Sequence, residues 1–185
     1  VDIDLTMMLE QIADELYGVL QEKMLTCKVE AEEEILIEGD PDKLARVFDN
    51  ILRNAIAYCR EKSVLLIQAA KEENQVRICF ENEGDTIPEE SLKRIFDKFY
   101  RADASRSSST GGAGLGLAIA KEIVELHKGQ IIAESSEGKT RFIVTLPLKG
   151  GVESNEIHTH SGHSSGGRAG RRKFLHRKAA GRTVE

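Results

Sequence analysis

Four glycines fall within six positions at the head of the stretch GGAGLGLAIA, residues 111–120. An apolar helical run follows at once: Leu115, Leu117, Ala118, Ile119, Ile123, Val124 and Leu126. Glycine lacks a Cβ, so such a loop can press its backbone N–H groups against a ligand and can take up positive φ. A helix that starts in the loop adds unpaired N–H groups and the positive end of its dipole. Together these form a cradle for phosphate. The spacing Gly112-x-Gly114-x-Gly116 matches neither the dinucleotide fingerprint nor the Walker loop with its Lys-Ser/Thr ending. Taken alone, the stretch also fits a flexible loop ahead of an ordinary amphipathic helix.

The rest of the chain supplies a frame. Residues 1–5 alternate as a short strand or connector, and apolar residues from Met8 to Leu20 recur at helical spacing, with Thr6 as the expected N-cap. Residues 27–31 and 34–38 read as two strands around an acidic turn. Asp40 then caps a helix with Pro41 at its first position. That helix buries Leu44, Val47, Phe48, Ile51, Leu52, Ala55 and Ile56 and carries Asn50 and Asn54 one turn apart at the edge of the same face. Asparagine is a poor helix former, so two in one row ask for a reason. They are either helix-edge amides or neutral oxygen donors for Mg²⁺ or for water bound to phosphate.

Residues 64–69 and 76–80 predict a hairpin that leads into a polar loop. A short helix is expected over 89–95, followed by a local core of Phe96, Phe99 and Tyr100. Residues 101–112 have no apolar periodicity and read as a mobile lid, with Arg101 and Arg106 either placed to meet phosphate or simply solvated charges. The glycine-led helix runs to His127, a helix-end residue, with Gly129 as its C′ position. Residues 130–133 and 140–146 close the pattern as a last hairpin.

Charge divides the chain. The formal net charge is −5, but residues 150–185 hold seven Lys/Arg against three Asp/Glu, which leaves 19 Lys/Arg against 28 Asp/Glu in residues 1–149. An acidic body argues against general nucleic-acid binding. Cys27, Cys59 and Cys79 are odd in number, lack metal-ligand spacing and sit in apolar runs, as buried reduced thiols of a cytosolic protein do. The opening residues already read as folded-domain sequence, as expected for a piece of a longer protein.

Four separated motifs resemble, in order and spacing, the catalytic ATP-binding domain of bacterial sensor histidine kinases. DNILRNA at 49–55 is similar to its N box, NEGDTIP at 82–88 to its G1 box, IFDKFYR at 95–101 to its F box, and GAGLGL at 112–117 to its G2 box. The wording from Tyr100 to Val124 resembles the vancomycin-resistance sensor kinases. The resemblance covers residues 1–148. It implies a two-layer α/β sandwich of the Bergerat type, a mixed and mostly antiparallel sheet with helices on one face, and ATP with Mg²⁺ as ligands.

By position, the resemblance gives Asn54 the Mg²⁺ and places Asn50 where related ATPases carry a glutamate base. An amide cannot accept a proton there, which favours phosphoryl transfer over hydrolysis. Tyr58, Asn82, Gly84, Ile87, Gly112, Gly114, Leu115, Gly116, Leu117 and Thr140 complete the implied nucleotide site with Arg101 and Arg106. Asn82 stands where the family has an aspartate that reads the adenine amino group. Two departures, Thr86 for the second G1 glycine and Ala57 for a basic residue, leave open a regulatory nucleotide-binding module without phosphotransfer.

The family's acceptor histidine lies on a dimerising helical hairpin, and none of the five histidines here, His127, His158, His160, His163 and His176, has that context. The implied partners are therefore that phosphotransfer segment and, indirectly, a response regulator. The expected state is a monomeric fragment of a homodimeric membrane sensor. Residues 149–185 match nothing in the family and read as a disordered basic Gly/Ser/His tail, whose alternatives are metal binding by His158, His160 and His163 or anion binding around 171–178.

Overall fold

The computed structural model describes residues 1–100, 114–150 and 182–184. Its elements run β1 (Asp2–Asp4), α1 (Leu5–Glu15), α2 (Tyr17–Glu22), β2 (Thr26–Ala31), β3 (Leu36–Glu38), α3 (Pro41–Tyr58), β4 (Val64–Glu72), β5 (Gln75–Glu83), α4 (Glu89–Leu92), α5 (Gly116–Leu126), β6 (Gln130–Ser136), β7 (Lys139–Pro147) and β8 (Arg182–Val184). The main sheet has the order β6-β7-β5-β4-β2-β8, and β1 pairs with β3 in a separate ribbon. Among the described strands only β2 and β4 run parallel; the other pairs are antiparallel. This is the expected mixed, mostly antiparallel sheet with helices on one face.

Strand alternation decides what faces the helices. Val76, Ile78 and Phe80 of β5 and Phe142, Val144 and Leu146 of β7 are buried on one side, where Phe80 meets Phe48 of α3 with ring centroids 5.9 Å apart. Each such side chain contributes roughly 1.5–3 kcal/mol on leaving water. The other side of the sheet carries Arg77, Glu81 and Arg141. Among them burial pushes the Cys79 thiol above its ordinary range. All three cysteines are buried and free, and burial, helped by Asp14, pushes Cys27 up to about 12.

The start of α3 is as read from the sequence. The Asp40 side chain accepts from the Lys43 backbone N–H at 3.1 Å, and Pro41 opens the helix. Its end is closed from outside: Lys23 Nζ donates to the carbonyls of Ile56 at 2.8 Å and Ala57 at 3.1 Å. That charge stands where the helix, which has no basic residue in its last turn, needs it. The β6–β7 turn places Glu137 and Gly138 both at positive φ, the geometry of a two-residue type I′ hairpin.

Several local expectations are corrected. Asp4, not Thr6, caps α1 through Met7 N–H: the helix already starts at Leu5, so Thr6 lies inside it, its hydroxyl donating to the Glu32 carbonyl. The first helix breaks at Leu16 (φ −86°, ψ 0°) into α1 and α2. The strands on either side of the acidic turn do not pair with each other. β2 joins β4 and β3 joins β1, with Glu34 at φ 55° redirecting the chain.

The helix expected over 89–95 stops at Leu92. Ile95 and Phe96 do join the core, Phe96 edge-on to Phe142, but Phe99 is 72% exposed at φ 64° and is no part of it. At the end of α5 the left-handed residue is Lys128 rather than Gly129. Lys128 N–H bonds the Glu125 carbonyl and Gly129 N–H the Val124 carbonyl, a Schellman closure. Gly129 is required for a different reason: a Cβ there would lie 2.3 Å from the Thr145 carbonyl oxygen.

Candidate functional site

Helix α3 is the spine of the site. Its buried face fixes its rotation, and that rotation leaves Asn50, Asn54 and Tyr58 half-buried along one edge. They fall at i, i+4 and i+8, a row about 12 Å long at 1.5 Å per residue. One end of the row faces the start of α5, and the other faces the loop after β5.

At the first end, α5 begins against Asn50. A Cβ on Gly116 would stand 3.5 Å from Asn50 Oδ1. The helix opens from Leu115 with no side-chain cap, so its first N–H groups are left to a ligand or to water. Gly114, at φ 72°, sits so close to the Phe99–Tyr100 backbone that a Cβ would approach the Tyr100 carbonyl to 3.0 Å, and Phe99 N–H donates to the Gly114 carbonyl at 3.0 Å. Leu117 is buried. Buried Asn50 Nδ2 has no hydrogen-bond partner among the described residues.

At the second end, Gly84 passes over the terminus of α3. A Cβ there would lie 2.4 Å from the Tyr58 carbonyl oxygen, which only glycine avoids. Asn82 is 2% exposed and pairs in register with buried Thr140 across β5 and β7. Its Oδ1 is, among the described residues, the other buried side-chain atom without a partner. Ile87 N–H donates to Ser135 Oγ at 2.9 Å, and Ser135 Oγ lies 3.0 Å from Thr140 Oγ1. Ser135 is a member of this cluster that the sequence reading missed. The signal available was a hydroxyl at i−5 to Thr140 across a tight hairpin.

Next to Asn82, Glu81 points to the opposite face of the sheet. It accepts from Lys139 Nζ at 2.7 Å and Arg141 Nε at 2.6 Å. Burial would raise its carboxyl, but those two cations hold it below the ordinary glutamate range.

The structure thus gathers Asn50 with Gly114, Leu115, Gly116 and Leu117, and Tyr58 and Asn82 with Gly84, Ile87 and Thr140. Asn54 sits between the groups on α3. Arg101, Arg106, Gly112 and the lid reading of 101–112 lie outside the described residues. So do His158, His160, His163 and residues 171–178. His127 is tied into the helix frame by Asp40 N–H and Ile123 O rather than to this site. Among the described residues no group of three or more His, Cys, Asp or Glu is placed to hold a metal ion.

Chemically, one orphan is a donor that wants an acceptor, and the other is an acceptor that wants a donor. A buried polar atom left unmatched costs about 1–3 kcal/mol. A ligand with anionic oxygens at one end and an amino group at the other satisfies both, and a nucleoside phosphate with an aminated base has that form.

Comparison with known proteins follows the same line. Residues 39–150 match the family model described as histidine kinase-, DNA gyrase B- and HSP90-like ATPase. The chain is 52% identical over 145 residues to the sensor protein VanS of Enterococcus faecium, covering 78% of this chain and 38% of that protein. It therefore spans under half the length of that curated relative. Among solved structures it is similar to the nucleotide-free catalytic domain of histidine kinase ThkA, with 26% identity and TM-score 0.70 over 80% of this chain and 94% of that one. It is also similar to ThkA in complex with the response regulator TrrA, with 25% identity and TM-score 0.67 over 80% of this chain and 41% of that one.

Proposed function

The chain belongs to the histidine kinase-, DNA gyrase B- and HSP90-like ATPase family, and from that premise we propose that it is the Mg-ATP-binding catalytic domain of a two-component sensor kinase. Its work is to present the ATP γ-phosphoryl group to a histidine on a separate dimerisation segment. The observation that carries the reading is the complementary pair of orphans, Asn50 Nδ2 and Asn82 Oδ1. Phosphate oxygens answer the first and the adenine amino group answers the second.

Each residue then has a part. The open N-terminus of α5 and the backbone at Gly114–Gly116 receive phosphate. Asn54 offers its side-chain oxygen to Mg²⁺, which also takes phosphate and water oxygens. Mg²⁺, when bound, neutralises charge on the group being transferred. Asn50, an amide, positions but does not deprotonate, so a water held beside it is not activated and hydrolysis is disfavoured. Tyr58, Gly84, Ile87 and Thr140 wall the base end. Arg101 and Arg106 are assigned to phosphate on the sequence reading alone.

The relative with 52% identity is a VanS sensor protein, which supports a role in vancomycin-resistance signalling. The solved complex of ThkA with its response regulator supports a response regulator as the downstream partner of the parent protein, which we place at the bacterial cytoplasmic membrane. No helix among the described residues is long and apolar enough to cross a membrane. We assign residues 1–148 to the catalytic domain and 149–185 to an appended tail.

The test is thermal unfolding with and without Mg²⁺ and a non-hydrolysable ATP analogue. Ligand at about 100 times its dissociation constant stabilises by roughly 2.7 kcal/mol. A Mg-dependent shift that disappears in Asn54→Ala supports the site; no shift at saturating ligand sinks it. Label transferred from ATP to an added acceptor-histidine hairpin then separates a kinase from a module that only binds.

A further inference from the structure

The loop at 82–88 departs from the family pattern at Thr86, and the departure makes a contact. Three hydrogen bonds tie this loop to the β6–β7 hairpin. Gly84 N–H donates to the Gly138 carbonyl at 2.9 Å. Gly138 N–H donates to Thr86 Oγ1 at 3.0 Å. Ile87 N–H donates to Ser135 Oγ at 2.9 Å. Gly138 lies beyond the last ladder pair, Ser136 with Lys139, and so looks for its acceptor outside the hairpin. A glycine at position 86 would offer none.

We propose that Thr86 is a positioning residue for the base-binding end of the site. Its hydroxyl clamps the loop to the hairpin and so fixes the direction of Asn82 Oδ1. The connection is short. The hairpin that Thr86 holds carries Ser135, Ser135 meets Thr140, and Thr140 is the register partner of Asn82. A side-chain clamp here takes over the ordering that a glycine-containing loop completes only when ligand arrives. A fixed acceptor at Asn82 selects a base with an exocyclic amino group, adenine, over hypoxanthine, which presents a carbonyl oxygen at the same place. This rests on the nucleotide reading above and adds to it the determinant of base selectivity.

The clamp is solvent-exposed, so it adds little to overall stability, and its effect shows in ligand binding. The experiment measures binding of the Mg²⁺ complexes of ATP and ITP to the wild-type chain, Thr86→Val, Thr86→Ser and Thr86→Gly. Valine keeps the shape and removes the acceptor; serine keeps the acceptor. Thr86→Val and Thr86→Gly are expected to weaken ATP binding by roughly threefold to tenfold, the worth of one net hydrogen bond. They should also narrow the ATP-over-ITP preference, while Thr86→Ser keeps both.

In the ligand-free chain, hydrogen exchange at the Gly138 amide is expected to quicken in Thr86→Val and to stay unchanged in Thr86→Ser. Wild-type affinity and preference retained in Thr86→Val overturn the proposal, as does a Thr86→Ser that behaves like Thr86→Val. Failure of the wild-type chain to bind either nucleotide overturns the nucleotide reading itself, and base selectivity falls with it. Unchanged Gly138 exchange in Thr86→Val refutes the clamp whatever the binding result.

Discussion

The backbone N–H of Asp40 donates to Nε2 of His127, 87 residues away, at 3.1 Å. His127 Nδ1 faces the Ile123 carbonyl at 2.8 Å, so the ring presents Nδ1–H to that carbonyl and keeps Nε2 free to accept. One imidazole thus joins the start of α3 to the end of α5, the two helices that hold the site. Replacement by phenylalanine is expected to leave a half-buried N–H without an acceptor and to cost about 1–3 kcal/mol in urea unfolding. A loss below a few tenths of a kcal/mol would mean that water replaces the ring.

Two glycines at the site are expected to respond oppositely to alanine. Gly84→Ala drives a Cβ into the Tyr58 carbonyl oxygen, whereas Gly116→Ala meets Asn50 at ordinary contact distance. The first should cost about 1–3 kcal/mol through forced backbone shifts. The second should fold at least as well as wild type, since alanine is the better helix former. Parallel thermal melts decide it.

Lys23→Met is expected to lower stability by about 1–2 kcal/mol, because two carbonyls at the end of α3 lose a charged donor. Lys23→Arg should recover part of that loss. If methionine is neutral in a melt, water caps the helix as well as the ammonium does.

The acid limb of stability should carry the signature of Glu81. Its carboxyl is held below the ordinary range by Lys139 and Arg141, against the effect of burial. A lowered native pKa means that the unfolded chain takes up the proton first. The contribution is therefore complete above the ordinary glutamate range and fades as pH falls through the lowered value. Both cations are well exposed, so the pairs are worth about 0.5–1 kcal/mol. Glu81→Gln should flatten that part of the stability–pH curve and leave its neutral slope unchanged.

Removing residues 150–185 strips β8 from the outer edge of β2, where it pairs with Cys27, Lys28 and Val29. Amide hydrogen exchange in β2 is expected to quicken on that edge, while β4 and β5 stay protected. Unchanged exchange would show that β8 spends little time on the edge.

Much of this was readable from residues alone, where a local rule decides. Asp40 and Pro41 announce α3, its apolar spacing fixes which edge bears Asn50 and Asn54, and the glycines at 112–116 announce the start of α5. What escaped is what depends on residues far apart in sequence. The Asp4 cap wins because the helix starts at Leu5, one residue before Thr6, whose hydroxyl reaches Glu32 instead. β2 chooses β4, not β3, because the parallel partner lies across α3. Phe99 is exposed although it sits in an aromatic run, because its φ of 64° turns it out of the core. Ser135 joins the base end only once β6 folds back on β7. Thr86, read only as a departure from the second G1 glycine, is better understood through the bond it accepts.

The ribbon of β1 and β3 closes the domain on itself. Val1 and Gly39 exchange two hydrogen bonds, Lys149 N–H bonds the Leu36 carbonyl, and Lys149 Nζ meets Asp2 at 2.5 Å. Residues 1 and 149 are therefore both held on this ribbon, the first at Gly39 and the second at Leu36. Tension on residue 1 loads this three-residue ribbon, whereas tension on residue 149 loads β7 directly. A pull on residue 1 is therefore handed to Gly39 and, one residue on, to the cap of α3 at Asp40, the start of the spine of the site.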